Sequence, residues 1–320
     1  MAKTASKVVD SLSEIDVAIA KDDSRKFDPV DWWVVYKDQL SLQGVSAESI
    51  DLSCDKWLTY LQSLAPRALL WRVWHRPDDL RDALTKIYIC ERDLGIQCFP
   101  GSNDLWSYND KVRQLYLARK HGIQIPKTIA TRSIDEARKF VTEIGYPVVS
   151  KAPMGACGTN ITLINSPYEF EKHLEKVFSL NGLELYDPIE RQRGIIYLQR
   201  FHQIDRDLRI ITVGTDVVLA FWRKSSNWRH NISQGAKIDP SRIPSIPIQM
   251  CLRIAELLMF PWCAFDIIES EGQFLLLEFS VQFGFSSPPE YERHFGSWDG
   301  GVLRRQADLV ARKLGYGRIL

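Results

Sequence analysis

CAFDIIESEGQFLLLEFS, residues 263–280, sets two carboxylates, Asp266 and Glu278, inside two apolar runs, CAFDIIE (263–269) and FLLLEFS (274–280), joined by a Glu271-Gly272 turn. The runs predict two strands of a hairpin, and neighbouring hairpin strands hold side chains of one face side by side. Two carboxylates in such surroundings repel each other and resist desolvation unless a cation joins them. Oxygen-only ligands suit Mg²⁺ or Mn²⁺ better than zinc. Ion pairing with Arg or Lys is the alternative reading of the same two acids.

Upstream of the acids the chain is locally basic. Arg200, Arg206, Arg209, Arg223, Lys224, Arg229, His230 and Asn231 fall within 32 residues. LRIITV and VVLAFWR flank Gly214-Thr215-Asp216 and predict another hairpin, with Arg223 ending its second strand and Arg229 to Asn231 on the loop beyond. Such arginines suit bidentate anchoring of phosphate or carboxylate. RNA could use the same patch with Trp222 and Trp228, but Asp205, Asp207 and Asp266 are interleaved and no recognised nucleic-acid motif accompanies it. A helix is expected around 248–259 and a last one over 302–314, ended by Gly315.

Further upstream, the strands PVVSK (147–151) and ITLI (161–164) are joined by the loop APMGACGTN. Its glycines, Gly155 and Gly158, let backbone N–H groups approach an anion. Walker A would require Lys-Ser/Thr after the last glycine, and Thr159-Asn160 stands there instead. Lys151 ends an apolar strand, so it reaches solvent or meets an anion. Lys111 follows the N-cap candidate Asp110, at the positive end of a helix dipole, which is unfavourable unless something negative is near. Ser133-x-x-Glu136 and Ser166-Pro167-x-Glu169 predict two further helix starts. IIYLQRF (195–201) is a strand that opens the third unit.

The first hundred residues read as a small α/β unit. A strand near 16–20, helices over 32–40 and 57–64, a strand over 68–73, a helix ending at Gly95 and the short strand QCF alternate, which favours a parallel sheet. Trp32, Trp33, Trp57, Trp71 and Trp74 crowd this unit and are expected to pack in its core. At about 150 residues per domain, 320 residues give two domains or three small ones. Forty-one Lys+Arg against 40 Asp+Glu leave a net charge of +1, so no global field draws nucleic acid or an anionic membrane. The N-terminus has no apolar signal core, and no uncharged apolar run of about 18 residues occurs. A soluble, unsecreted protein is expected. The six cysteines (54, 90, 98, 157, 251, 263) match no zinc or disulfide framework and read as reduced thiols. No G-x-S-x-G nucleophile is present.

Taken in chain order, ND-K (109–111), IPKT (125–128), PVVSKAPMGACGTNI (147–161), LQRF-x5-DLRIITVG (198–214), WRKSSNWRHNISQGA (222–236) and FDII-x8-LLEFS (265–280) resemble the ATP-grasp superfamily. Within it they are most similar to the ribosomal-protein glutamate ligases (RimK) and glutathione synthetases. The resemblance covers about 84–285. It implies a mixed α/β and α+β chain: an N-terminal α/β domain (1–102), then a central (103–194) and a C-terminal (195–320) α+β lobe that clasp ATP.

The resemblance also implies roles. Lys111 and Lys151 would touch nucleotide phosphates, and Gly155, Gly158 and Thr159 would close over them. Gln199, Arg200 and Phe201 would supply backbone contacts to the adenine edge, and Asp207 would face the ribose. Asn231 would sit beside phosphate or metal. Asp266, Glu278 and Ser280 would hold magnesium, while Arg223, with Lys151 and Arg229, would serve the transferring phosphoryl group. Ser280 departs from the family's E-x-N pattern, and a serine hydroxyl is a weaker ligand than an amide carbonyl. The implied activity is an ATP- and Mg²⁺-dependent carboxylate–amine ligase working through an acylphosphate, in the cytoplasm, with a homodimer compatible with the family. An ATP-grasp kinase acting on a hydroxyl and a non-catalytic nucleotide-binding module are the alternatives.

Overall fold

The computed structural model of the chain describes residues 15–21, 31–155, 160–185, 190–228, 230, 235–283 and 299–316. Strand β1 (Val17–Lys21) pairs in parallel with β2 (Ala47–Asp51) on one side and β3 (Ala68–Leu70) on the other, and β4 (Gln97–Phe99) flanks β3. Helices α1 (Trp32–Ser41), α2 (Trp57–Leu64) and α3 (Pro77–Asp93) alternate with these strands, as the sequence pattern requires. β2 escaped that pattern because AESID is an edge strand with one buried side chain, Ile50. The expectation of a tryptophan core is only partly met. Trp32 is buried, whereas Trp33, Trp57, Trp71 and Trp74 are half-buried, as suits a ring too large to submerge fully.

The short α4 (Ser102–Trp106), absent from the sequence reading, leads into α5 (Lys111–Lys120). The Asp110 carboxylate caps α5, accepting from Val112 N at 3.0 Å and Arg113 N at 2.9 Å. The central sheet then collects β5 (Thr128–Thr131), β6 (Val148–Lys151) and β7 (Ile161–Ile164). Helices α6 (Ile134–Ile144) and α7 (Pro167–Phe178) are capped by Ser133 and Ser166, whose hydroxyls accept from Glu136 N and Glu169 N. A two-stranded ribbon of β8 (Leu183–Glu184) and β9 (Arg191–Gln192) precedes β10 (Ile196–Arg200).

The sequence places β10 at the start of the third unit. The structure puts it between β5 and β6, antiparallel to both, so the central sheet closes after Arg200 rather than before Ile195. Nearness in sequence to the next hairpin hid this long-range pairing. Phe140, Val141, Phe170 and Leu174 from α6 and α7 pack on Val148, Ile164, Ile196 and Leu198 as a separate core.

The C-terminal sheet runs in the order β13-β12-β11-β14-β15, all antiparallel, from β11 (Arg206–Val213), β12 (Asp216–Lys224), β13 (Lys237–Asp239), β14 (Trp262–Ser270) and β15 (Gln273–Ser280). Helix α8 (Ser245–Leu257) covers one face through Cys251, Ile254 and Ala255, against Leu208, Ile210, Trp222 and Phe265. The other face meets α9 (Arg304–Lys313), which follows a π-helical turn at Asp299–Leu303, so the last predicted helix is two pieces. Both cores run on into the N-terminal sheet: Ala18, Ala20 and Leu69 join the first, Val17, Ile19 and Leu70 the second. The N-terminal unit and the C-terminal sheet are therefore one packed body.

Among the described residues no helix is long and apolar enough to cross a membrane. Cys54, Cys90, Cys98, Cys251 and Cys263 are free thiols, and Cys157 lies outside the described residues.

Candidate active site

The register of β14 and β15 sets Asp266 directly opposite Glu278. This pairing depends on a bulge. From Ser270↔Gln273 to Ile267↔Leu276 the strands pair regularly, and continuing that ladder would oppose Asp266 with Leu277 and turn Glu278 to the other face. The register shift between Asp266 and Ile267 adds one residue on the β15 side and brings the acids together. Their carboxyl groups lie within hydrogen-bond reach of each other.

Across the sheet, Arg209 on β11 opposes Asp266, and Asp207 opposes Arg223 on β12. Arg223 donates Nε and Nη2 to the two Asp207 oxygens at 2.8 and 2.7 Å, and its Nη2 lies 3.2 Å from Asp266 Oδ2. Arg209 Nη1 donates to Asp266 Oδ1 at 2.8 Å. Asp207, Arg223 and Asp266 are each at most 6% exposed. Burial alone would raise the Asp266 carboxyl, but Arg209 and Arg223 outweigh it and hold the group below its ordinary range. Burial likewise works to discharge Arg223, and Asp207 with Asp266 reverses it, keeping the guanidinium firmly cationic. Ion pairing, the alternative reading of the acids, is thus present for Asp266, while the half-buried Glu278 has no such arginine among the described residues.

The facing wall belongs to the central lobe. Lys151, the last residue of β6, is 7% exposed. Burial pulls its ammonium down to about 8, partly offset by Glu278 and Asp266 and reinforced by Lys111. Lys111 opens α5 and donates Nζ to Gly155 O at 2.6 Å, so a carbonyl supplies the negative partner its helix position demands. The neck of the loop after β6 is sewn to the start of α5: Lys111 N donates to Pro153 O at 2.8 Å and Gly155 N to Asn109 Oδ1 at 3.2 Å. Gly155 and Asn109 hold positive φ, 142° and 58°, where a glycine or asparagine is favoured. Ala152 N donates to Asn160 O and closes the neck from the other strand.

Between the walls lies a crevice lined by Lys111, Gln114, Tyr197, Gln199, Leu277 and Glu278, among others. Gln114 fixes its floor, giving Nε2 to Phe279 O at 2.8 Å and accepting from Phe279 N at 3.3 Å. Gln199 donates Nε2 to Thr128 Oγ1 at 3.0 Å.

The structure therefore assembles Lys111, Lys151, Gly155, Gln199, Asp207, Arg223, Asp266 and Glu278 around one cleft. The role implied for Arg200 and Phe201 is a backbone one, so their side chains do not bear on it: that of Arg200 is exposed, 3.7 Å from Glu271. Phe201 is half-buried, edge-on to Trp228. Asp207, expected to face a ribose, accepts from Arg223 with both oxygens. Ser280 turns its hydroxyl to donate to Gln282 O, which still leaves oxygen lone pairs. Gly158, Thr159, Arg229 and Asn231 lie outside the described residues. The sequence reading missed the roles of Arg209 and Gln114. The first was legible, since Asp207 and Arg209 alternate with Leu208 and Ile210 and so share a face; the second depends on a contact 165 residues away. His230, 3% exposed with no hydrogen-bond partner for either ring nitrogen among the described residues, feels the charges of Asp207 and Arg223.

Among the described residues no three His, Cys, Asp or Glu groups form a self-sufficient metal cage. Two apposed carboxylates, one of them without an arginine partner, fit a magnesium ion that takes its remaining ligands from phosphates and water. Four cations (Lys111, Lys151, Arg209, Arg223) face three acids (Asp207, Asp266, Glu278), which suits an anion brought with its own cation.

Residues 108–289 match the RimK-like ATP-grasp domain family. The chain is 29% identical over 180 residues to the alpha-aminoadipate–LysW ligase LysX of Sulfurisphaera tokodaii, covering 55% of this chain and 60% of that protein. It is 24% identical over 182 residues to the coenzyme gamma-F420-2:alpha-L-glutamate ligase of Methanococcus maripaludis, covering 56% and 61%. The chain thus spans about three fifths of the length of these curated relatives. Its fold is similar to the RimK domain ATP-grasp protein of Sphaerobacter thermophilus (TM-score 0.63, 14% identity, 92% of this chain and 98% of that one). The D-alanine–D-alanine ligase of Bacillus anthracis is alike to the same degree (TM-score 0.65, 13% identity, 94% and 99%).

Proposed function

The chain belongs to the RimK-like ATP-grasp family, and from that premise we propose that it is an ATP- and Mg²⁺-dependent carboxylate–amine ligase. The observation that carries this reading is the cleft itself, with Lys111 and Lys151 on one wall and the apposed Asp266 and Glu278 on the other. ATP, a carboxylate and an amine are its substrates, and ADP, phosphate and an amide its products. The ligase relatives support this class of reaction.

A carboxylate is a poor electrophile, and phosphorylation by ATP turns it into an acylphosphate that an amine can attack. Lys111 and Lys151 bind the phosphates and orient the γ-phosphoryl group. Gly158 and Thr159, in the loop that follows the described neck, would cover those phosphates with backbone N–H groups, and Arg229 and Asn231 are further phosphate ligands in this proposal. Gln199 and the backbone of 199–201 edge the base. Asp266 and Glu278, with Ser280 as a weaker ligand, would hold magnesium, which when bound neutralises charge on the phosphoryl oxygens. Arg223 stabilises the phosphoryl group in transfer and then the tetrahedral oxyanion. Asp207 serves it as a positioning residue, locking the guanidinium plane.

Incubation with ATP, Mg²⁺ and a panel of carboxylates, with hydroxylamine as trap, tests the reading. A hydroxamate with at least one carboxylate is the expected result. A phosphate ester formed on a hydroxyl compound, with no hydroxamate, would replace the ligase by a kinase.

A further inference from the structure

The chain that leaves β3 runs from one wall of the cleft to the other. Trp71 O, at its start, accepts from Gln282 Nε2 at 3.2 Å, just past the end of β15. His75 O, at its far end, accepts from Asn109 Nδ2 at 2.9 Å, beside the start of α5. Both ties hold backbone carbonyls, so neither depends on the side chains that the segment carries. The segment 71–75 therefore borders the end of the cleft where the neck of the loop after β6 faces the chain leaving β15. His75 precedes the residues matched to the family, 108–289, so the second tie joins the N-terminal unit to the nucleotide-binding part of the chain.

Asn109 is where the two parts meet. A carbonyl only accepts and an N–H only donates, so the amide has one orientation: Nδ2 to His75 O, and Oδ1 to Gly155 N at 3.2 Å. Gly155 is gripped from its other side as well, since Lys111 Nζ holds its carbonyl. Its φ of 142° is open to glycine and strained for other residues, so a flexible peptide is fixed in one geometry by these two holds. Lys111 is shared with the phosphates in the reaction proposed above, whereas Asn109 serves only the neck and the segment 71–75.

We propose that Asn109 is a positioning residue that couples the segment 71–75 to the neck of the phosphate loop. A nucleotide carrying β- and γ-phosphates then orders the segment, and a molecule held against the segment tightens the nucleotide, because such coupling is reciprocal. The segment is thereby readied for a carboxylate only once a triphosphate is in place, which suits a reaction that wastes ATP when phosphate is lost before the substrate is seated. The proposal rests on the ligase reading of the cleft.

Amide exchange of peptides covering 71–76, beside titrations with AMP-PNP and with AMP in Mg²⁺, tests it. In the unaltered protein AMP-PNP should slow exchange over 71–76 about tenfold, and saturating AMP should not. Asn109→Gly removes both side-chain bonds yet suits the positive φ of 58°. It should abolish the slowing and weaken AMP-PNP about tenfold, with AMP affinity unchanged. Asn109→Asp should abolish the slowing as fully, because a carboxylate has no hydrogen to give His75 O. Equal exchange in β11 and β14 of all three proteins certifies their fold. Unchanged exchange over 71–76 when AMP-PNP binds the unaltered protein, slowing that persists in either variant, or equal weakening of AMP and AMP-PNP in Asn109→Gly would each overturn the coupling. If hydroxylamine trapping on the unaltered protein still gives hydroxamate, only the coupling falls. If that protein binds neither nucleotide and traps no hydroxamate, the ligase reading falls with it.

Discussion

The central sheet and the C-terminal sheet form the two walls of one cleft, but they are anchored differently. The central sheet has a core of its own, from α6 and α7 packed on β5, β6, β7 and β10, and shares no buried residue with the other clusters. The C-terminal sheet is covered on both faces, and both of its cores continue into the N-terminal unit. The central sheet, which carries Lys151, can therefore lose its packing without taking the acid wall with it, whereas Lys111 sits on α5, which Gln114 ties to Phe279. The sides also differ in how charge is buried: Asp266 and Arg223 sit in an internal ion-pair network, whereas Lys151 is buried without an ion-pair partner among the described residues.

Substitutions on the acid wall should have the largest effects. Glu278→Gln should lower turnover about 10³-fold with the fold intact, since Glu278 is half-buried and unpaired with arginine. Asp266→Asn should lower turnover as much and also destabilise the protein, by about 3 kcal/mol, because it leaves the buried Arg223 and the half-buried Arg209 with too little negative charge. Steady-state kinetics beside chemical denaturation separates the two cases; equal stability in both variants would break the contrast.

On the other wall, Leu198→Ala should cost about 3 kcal/mol by opening a cavity in the separate core. The loss should show as faster amide exchange in α6, α7 and β10, with β11 and β14 unchanged, and uniform acceleration throughout would refute the two-body description.

Lys151 gives a smaller, pH-dependent effect. Its pKa of about 8 lies below that of a free lysine, so the unfolded chain binds more protons between the two values. Relative to Lys151→Met, stability without nucleotide should rise with pH from about 8 to about 10.5, while affinity for AMP-PNP should fall as the ammonium is lost. Parallel trends in both quantities would contradict the assignment. Smallest of all, Ser280→Asn should tighten Mg²⁺ binding about tenfold by supplying an amide oxygen, as read by Mg²⁺ titration of ATP turnover.

Much of this was legible in the sequence for a local reason: Asp110, Ser133 and Ser166 announce their helices by hydrogen bonds two or three residues away. The acids were found through their apolar flanks, although a regular hairpin from the Glu271-Gly272 turn would have parted them. The bulge that joins them leaves no mark in the apolar pattern. The pairing of β10 with β5 and β6, the grip of Gln114 on Phe279 and the Asp207–Arg223 fork all depend on strands meeting across the chain, which periodicity does not encode. Arg200 and Phe201 were assigned by resemblance alone, and for backbone contacts, on which the exposed Arg200 side chain has no bearing.

A crystal structure with AMP-PNP and Mn²⁺, the manganese located by its anomalous signal, is the most direct test of the cleft. The account predicts the triphosphate between the walls, Lys151 Nζ against a phosphate oxygen and manganese between that phosphate and the Asp266 and Glu278 carboxylates. A nucleotide bound elsewhere, or Lys151 and Glu278 opening onto separate volumes, would contradict it.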